Sequence, residues 1–483
     1  PSVRPSVPLS VRPSVRPSFS VMSGIARSLS AWLLCVLPPP AAALGAAPGA
    51  VPGWPRGSVA AGARELLART ASLLDGLHPR FLENRISASV PAVPAWLDGD
   101  WASFLLSLSS EDLARAEASS LRGLLARHRN GDTSAFGGAA EPPSSLRQLA
   151  AALDEIEASL VPSPRQAQSG VAGFGVKERK ARQIAAFVAA VRAAFDAAEV
   201  RRVVDVGAGV GALTGELQRH TGHPSVGIEL HADRVAAGRQ RAKRLGQART
   251  SFVVCDVRTP GVLAAQLRPG DLVVGLHACG RLGGDIVDAV ATMAPSVPLS
   301  LLLVSCCLQG WPWAAVGTVR EPQSSTGRQL GLYLPRSALK MANLGSTVSA
   351  GSAKAARDRL ALRWLLSSRG VMEHQRMPLR GLRKRDLRGA FRGGMAAKAL
   401  EVRGLPPTTD AELGAAERAA DAQLPVFRRL ELMSPLVGDL VELAVSFDRA
   451  SLLEEAGLRS AVGRLFPRSA SPRNLAVYAW GHG

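Results

Sequence analysis

Aromatic side chains are scarce: phenylalanine, tryptophan and tyrosine make up 5% of the 483 residues, with two tyrosines in all. That argues against the extended stacking platforms on which single-stranded nucleic acid is laid out. Cysteine is also sparse, with five residues in an odd-numbered set. The set gives no disulfide framework and no disulfide partner, and points to a reducing, intracellular compartment, cytoplasmic or nuclear. Long apolar runs are missing too. No stretch reaches the roughly 20 apolar residues that span a bilayer. Residues 31–47 are interrupted by Pro38, Pro39 and Pro40, and Val297 to Leu308 is the length of a buried strand. Acidic residues are outnumbered 58 to 39 by lysine and arginine, and none occurs before Glu65. The resulting net charge of +19 favours an anionic partner, whether RNA, an acidic protein or an acidic membrane surface.

A composition that is 47% hydrophobic and 20% charged fits a globular chain with a sizeable core. The opening PSVRPSVPLSVRPSVRPSFS is a Pro/Ser/Arg repeat with little to bury. Residues 1–57 are read as a disordered or targeting leader, which leaves mitochondrial or membrane association open. Residues 58–162 carry helical periodicity in ARELLARTASLLDGL and SLRQLAAALDEIEASL, with Ser109 and Asp112 at capping-box spacing. They are expected to form a helical N-terminal domain, bounded by a Gly/Pro/Ser-rich stretch near 162–173. From Lys177 to residue 310 strands alternate with helices: RRVVDV, SVGIEL, SFVVCDV, DLVVGLH and LSLLLVSCC are the strand-like runs. Such alternation predicts an α/β fold with a doubly wound, mostly parallel sheet over residues 173–310. A basic helical insertion follows over 311–433, irregular from 310 to 350. Residues 434–483 supply a helix and a last strand, NLAVYAW, that complete the core.

The first strand runs into VVDVGAGVGALT, placing Asp205, Gly207, Gly209 and Gly211 in a D-x-G-x-G-x-G turn that enters a helix. Glycines let backbone approach a ligand closely, and the helix N-terminus offers free N–H groups. Dinucleotide folds prefer G-x-G-x-x-G, so G-x-G-x-G with an acid two residues ahead favours S-adenosylmethionine over NAD. Glu229 ends the second strand, where a carboxylate can accept both ribose hydroxyl protons, and Asp256 ends the third, placed for an adenine amino group. Three acids at the tips of consecutive strands fit the ligand edge of an open α/β sheet.

GLHACGRL and LLLVSCCLQGW bring His277, Cys279, Cys306 and Cys307 to the same edge. Three readings stay open: His277 as general base with Cys279 shaping the pocket, a His/Cys metal site, or packing of small polarizable side chains. A nucleophilic cysteine for C5-pyrimidine chemistry is a further option. No metal is assigned, because H-x-C with a distant C-C pair is not an established zinc spacing. The Asn/Asp-Pro-Pro-Tyr-like turn of enzymes acting on exocyclic adenine nitrogen is absent from LHACG, so N6-adenine dimethylation is not supported.

VVDVGAGVGALT, GLHACGRL and LVSCCL, with SPLVGDLVELAVSFDRASLLEEAG and FPRSASPRNLAVYA near the end, resemble the methyltransferase-like 25 family and its ribosomal RNA adenine dimethylase domain-containing members. The resemblance implies a Rossmann-like class I methyltransferase using S-adenosylmethionine, with cofactor roles at Asp205, Gly207, Gly209, Gly211 and Glu229. The family's Lys-Lys-x-His-Glu segment matches KERKARQI at Arg179 and Lys180, which become candidate substrate contacts. Arg182 and Gln183 stand where His and Glu are expected. That departure motivates a second reading, a methyltransferase-fold scaffold without turnover. Between Lys354 and Leu400, 13 lysines and arginines face three acids. This basic stretch is either an RNA-backbone contact or a solvated face over a core stripe of Leu387, Phe391 and Met395.

Overall fold

The computed structural model describes residues 62–77, 99–137, 141–162, 178–195, 199–310, 319–342, 350–371, 382, 386 and 389–481. The leader expected over 1–57, the boundary segment from 163 onward, and most of the basic stretch between 372 and 388, Leu387 included, lie outside these residues.

The predicted strands form where β-branched and leucine-rich runs can be buried on both faces. They are β1 (Arg202–Val206), β2 (Ser225–Glu229), β3 (Thr250–Val254), β4 (Asp271–Cys279) and β5 (Leu299–Cys306). All five pair in parallel. Two further strands, β6 (Arg459–Arg464) and β7 (Leu475–Trp480), close the sheet, with β7 antiparallel to both β5 and β6. The order is β3-β2-β1-β4-β5-β7-β6, so strand order reverses between β1 and β4. Open α/β sheets bind ligands at the strand C-termini beside such a switch point. The doubly wound, mostly parallel sheet expected from the sequence is the fold observed.

Helix α6 (Glu178–Phe195) covers one face, burying Ile184, Phe187, Val188 and Val191 at helical spacing beneath β1 and β7. Helices α9 (Leu282–Met293) and α15 (Met433–Glu455) cover the other. That second apolar core also takes in the N-terminal helices, among them α1 (Ala63–Asp75), α3 (Ser110–Ser119) and α5 (Ser144–Ala158). The capping box expected at Ser109 is present: Ser109 Oγ accepts from Asp112 N at 3.0 Å, and the Asp112 carboxylate accepts from Ser109 N at 3.1 Å. Arg428 pairs with Glu117, and Arg464 with Glu157, tying these helices to the C-terminal part.

Residues 319–342, expected to be irregular, hold a two-residue ribbon (Val319–Arg320 with Leu334–Pro335) and two short helices, Ser325–Gln329 and Arg336–Met341. The turn from Arg320 into the first of these helices is pinned by Asp448 of α15, which pairs with buried Arg320 at 2.6 Å and accepts from the Gln323 and Ser324 amides. Helix α14 (Asp410–Glu431) is not among the expected elements. It packs with Ala350–Ser368 and the segment Phe391–Glu401 around buried Phe391 and Met395. Among the described residues, no helix is long and apolar enough to cross a membrane.

Candidate active site

After β1 the chain reverses through Gly207, Gly209 and Gly211, all left-handed with φ of 79°, 58° and 73°. Gly211 caps helix α7 (Ala212–Thr221), and a Cβ on it would collide with the Phe252 ring. Over Gly209 nothing lies within 4 Å of where a Cβ would sit. The turn therefore packs down on the sheet at one end and opens outward in its middle, which is the shape a ligand-bearing loop needs.

The acids differ in their exposure to that opening. Asp205 is 2% exposed and accepts a 2.6 Å hydrogen bond from Thr214 Oγ1. Burial pushes its carboxyl up to about 6, against the Thr214 hydrogen bond and the Lys180 charge. It braces the turn from beneath. Glu229 accepts from Gly209 N at 3.0 Å through one oxygen and from His231 N at 3.1 Å through the other. Arg234 Nη1 also reaches the oxygen that binds His231 N, at 3.5 Å. A carboxylate has about four acceptor positions, so the oxygen that binds Gly209 N keeps a lone pair for a second partner. Asp256 lies two residues past β3 on the surface, where its bond to Arg258 holds it down at about 2.

Three apolar side chains ring the same edge. Val210 in the turn, Leu230 after β2 and Val254 at the end of β3 are exposed by 49%, 38% and 48%. They stand at the tips of neighbouring strands beside Glu229 and Asp256. Nothing in the sequence marks them, because a single exposed aliphatic residue carries no signal until the sheet order is known.

On the far side of the switch point, β4 bulges between Leu276 and Ala278, and His277 takes a left-handed φ of 66°. His277 Nε2 lies 2.8 Å from Gln183 Oε1, while the Gln183 amide nitrogen donates to Ala470 O at 2.7 Å. With that amide so oriented, the imidazole carries its proton on Nε2 and leaves Nδ1 as the acceptor. Burial, with the charges of Lys180, Arg473 and Arg179, holds His277 down at about 4, so the ring is neutral at pH 7. Lys180 is half-buried on α6 and its ammonium is pushed below its ordinary value by burial, opposed by the Asp205 charge; Arg179 is exposed. Gln183, in sequence only a departure from the family segment, is buried between His277 and the chain at Ala470. Arg182, the other departure, is exposed and pairs with Glu178 on the outside of α6.

The cysteines gather apart from the imidazole. Cys279 Sγ lies 2.6 Å from Cys306 Sγ, and both thiols face the His277 carbonyl oxygen at 3.3 Å. Cys307 Sγ completes a group whose sulfurs all lie within 4.8 Å of one another. The hydrogen bond from Cys306 holds Cys279 down at about 6, and Cys306 is driven up by the same bond and by burial. The side chain of His277 is turned to Gln183, so the cluster is one of sulfur alone. Cys255, the remaining described cysteine, is buried elsewhere, at the end of β3.

Residues 179–310 match the model of a methyltransferase-domain family. The matched residues include the glycine turn, Glu229, Asp256, His277 and the three clustered cysteines, so all the candidate positions fall within it. No curated protein matches the chain. Among solved structures, the chain is similar to the PH0226 protein from Pyrococcus horikoshii OT3, at 20% identity over 22% of this chain and 50% of that one, with a TM-score of 0.18. It is also similar to TrmN from Thermus thermophilus, at 20% identity over 28% and 43% of the two chains, with a TM-score of 0.21. A third is the magnesium protoporphyrin IX methyltransferase of Synechocystis PCC 6803 with bound SAH, at 19% identity over 27% and 61%, with a TM-score of 0.20. Each match spans roughly half of the other protein, and likenesses of this size decide nothing about ligand or substrate.

Proposed function

We propose that the protein is an S-adenosylmethionine-dependent methyltransferase acting on RNA, with its donor over the Gly207–Gly211 turn. The observation that carries this reading is the joint placement of exposed Val210, Leu230 and Val254 with the Glu229 carboxylate around an open glycine turn. Apolar side chains flanking a slot suit the faces of adenine. Glu229 would accept from the ribose hydroxyls, and Asp256 from the exocyclic amine. A bound donor supplies an electrophilic methyl group. The chain's own part is to seat the donor on its glycines and to hold neutral His277, with Nδ1 free, where an acceptor proton can be taken. RNA is favoured by the net charge of +19 and by Arg179, Lys180 and Arg473 around His277.

A second reading, a donor-binding scaffold, is supported by Arg182 facing away from the pocket in its pair with Glu178. Incubation with methyl-labelled S-adenosylmethionine and total cellular RNA or protein separates the two. The proposal expects label in RNA, lost in His277→Ala while donor binding persists. Label in protein alone overturns the RNA assignment, and donor binding without transfer to either leaves the scaffold.

A further inference from the structure

The tips of β4 and β5 carry three left-handed residues within a short span: His277 (φ 66°), Gly280 (φ 59°) and Cys307 (φ 48°). A left-handed conformation costs a non-glycine residue about 1–3 kcal/mol and persists only where the surroundings enforce it. Its effect here is specific. Consecutive residues of an extended strand point to opposite faces, so Cys306 and Cys307 would ordinarily be held apart. The turn at Cys307 brings its sulfur back to the side of Cys306. The bulge at His277 shifts the register so that Cys279 stands directly beside Cys306 on the neighbouring strand. Gly280 N donates to Cys306 O at 3.2 Å, and a side chain on Gly280 would collide with the Gly310 carbonyl. The two strand ends are thus locked together with three sulfurs converging from separate backbone positions.

We infer that Cys279, Cys306 and Cys307 form a three-thiolate site for a thiophilic divalent cation such as Zn2+, with the fourth position open to solvent beside Cys279. Tetrahedral coordination at about 2.3 Å places thiolate sulfurs about 3.8 Å apart, inside the 4.8 Å span of the group. Binding needs Cys279 and Cys306 to separate from 2.6 Å, and Cys279 is exposed and can rotate. The ligands bind as thiolates, so each thiol still protonated releases one proton to solvent. Three thiolates around a dication leave one net negative charge. Lys180, within electrostatic reach of Cys306, and Arg473, within reach of Cys279, offset it. A water completes the shell. The spacing C-x26-C-C has no zinc-motif signature, because the site is assembled across two parallel strands rather than in one loop. The inference does not rest on donor binding.

The test uses the full chain, reduced, desalted and checked for free thiols, titrated with Co2+ and then with Zn2+ against a chromophoric chelator. The expected result is one equivalent bound, with near-ultraviolet thiolate-to-cobalt charge-transfer absorption that Zn2+ abolishes. Cys279→Ser and Cys307→Ser should each weaken Zn2+ binding by more than about a hundredfold, beyond what loss of an outer-shell partner costs, whereas Cys255→Ser leaves it unchanged. Cys306→Ser is buried and could unfold, so thermal melting accompanies every variant and the other two substitutions decide the outcome. No thiolate-to-cobalt band in a folded chain with free thiols overturns the site, as does undiminished Zn2+ affinity in Cys279→Ser or Cys307→Ser. S-adenosylmethionine titration of Cys279→Ser reports on the donor site separately, so failure of one assignment is distinguishable from failure of the other.

Discussion

Gly211 meets two demands that no other residue meets together, a left-handed φ of 73° and the absence of a Cβ against the Phe252 ring. Gly211→Ala should therefore destabilise the fold by about 2 kcal/mol or more and weaken donor binding, as read by denaturant unfolding and ligand titration; unchanged stability would contradict the packing described. The glycines and Glu229 were legible because their spacing is a short-range signal. Gln183 was not, since its partners His277 and Ala470 are 94 and 287 residues away. Gln183→Glu sets a carboxylate against the imidazole and should raise His277 from about 4 toward or above its ordinary 6.5, visible in the proton NMR titration of the ring. A lowered histidine favours the neutral folded form, so its stabilisation is complete above pH 6.5 and is lost as pH falls toward 4. Gln183→Glu should shrink that acid-side loss; an unmoved titration would remove Gln183 as the residue that positions His277.

Among elements, α15 was legible as the helix that opens residues 434–483, its start to within a residue, being long, apolar and buried along nearly its whole length. Helix α14 was not. Its alanine-rich, charged text carries a weak apolar stripe and an internal Pro425, although Thr409 and Glu412 form a capping box that could have announced it. Strand β6 escaped notice because RSAVGR is short and is held by β7 and by Val161 across a bridge, contacts remote in sequence. Inside α15, Glu442 is 8% exposed and pushed up to about 8 by burial and by Asp439. The folded state thus prefers the protonated carboxyl. Stability is full below the unfolded value of 4.5 and is lost as pH rises toward 8. Glu442→Gln should remove that loss, stabilising the protein on the order of a few kcal/mol at pH 8 and little at pH 4, by denaturant unfolding at the two pH values. Equal effects at both would contradict a buried neutral acid.

Across the whole molecule, charge is less available than its total implies. Arg357 pairs with Asp421, Arg369 with Glu412 and Arg392 with Glu417, so helix α14 pairs with three of the thirteen basic residues counted between Lys354 and Leu400. A count of charges along the chain could not show this, because the acids lie up to 64 residues from their partners. The sheet was legible as alternation, and its switch point gathers residues from β1 to β5 that no window of sequence brings together. Whether that point holds the methyl donor is tested most directly by calorimetric titration with S-adenosylmethionine. Saturable binding near 10⁻⁶ M in order of magnitude, weakened at least about tenfold in Glu229→Ala as a charge-assisted hydrogen bond is lost, is the predicted result. A folded protein that binds no donor, or a Glu229→Ala variant with unchanged affinity, would contradict it.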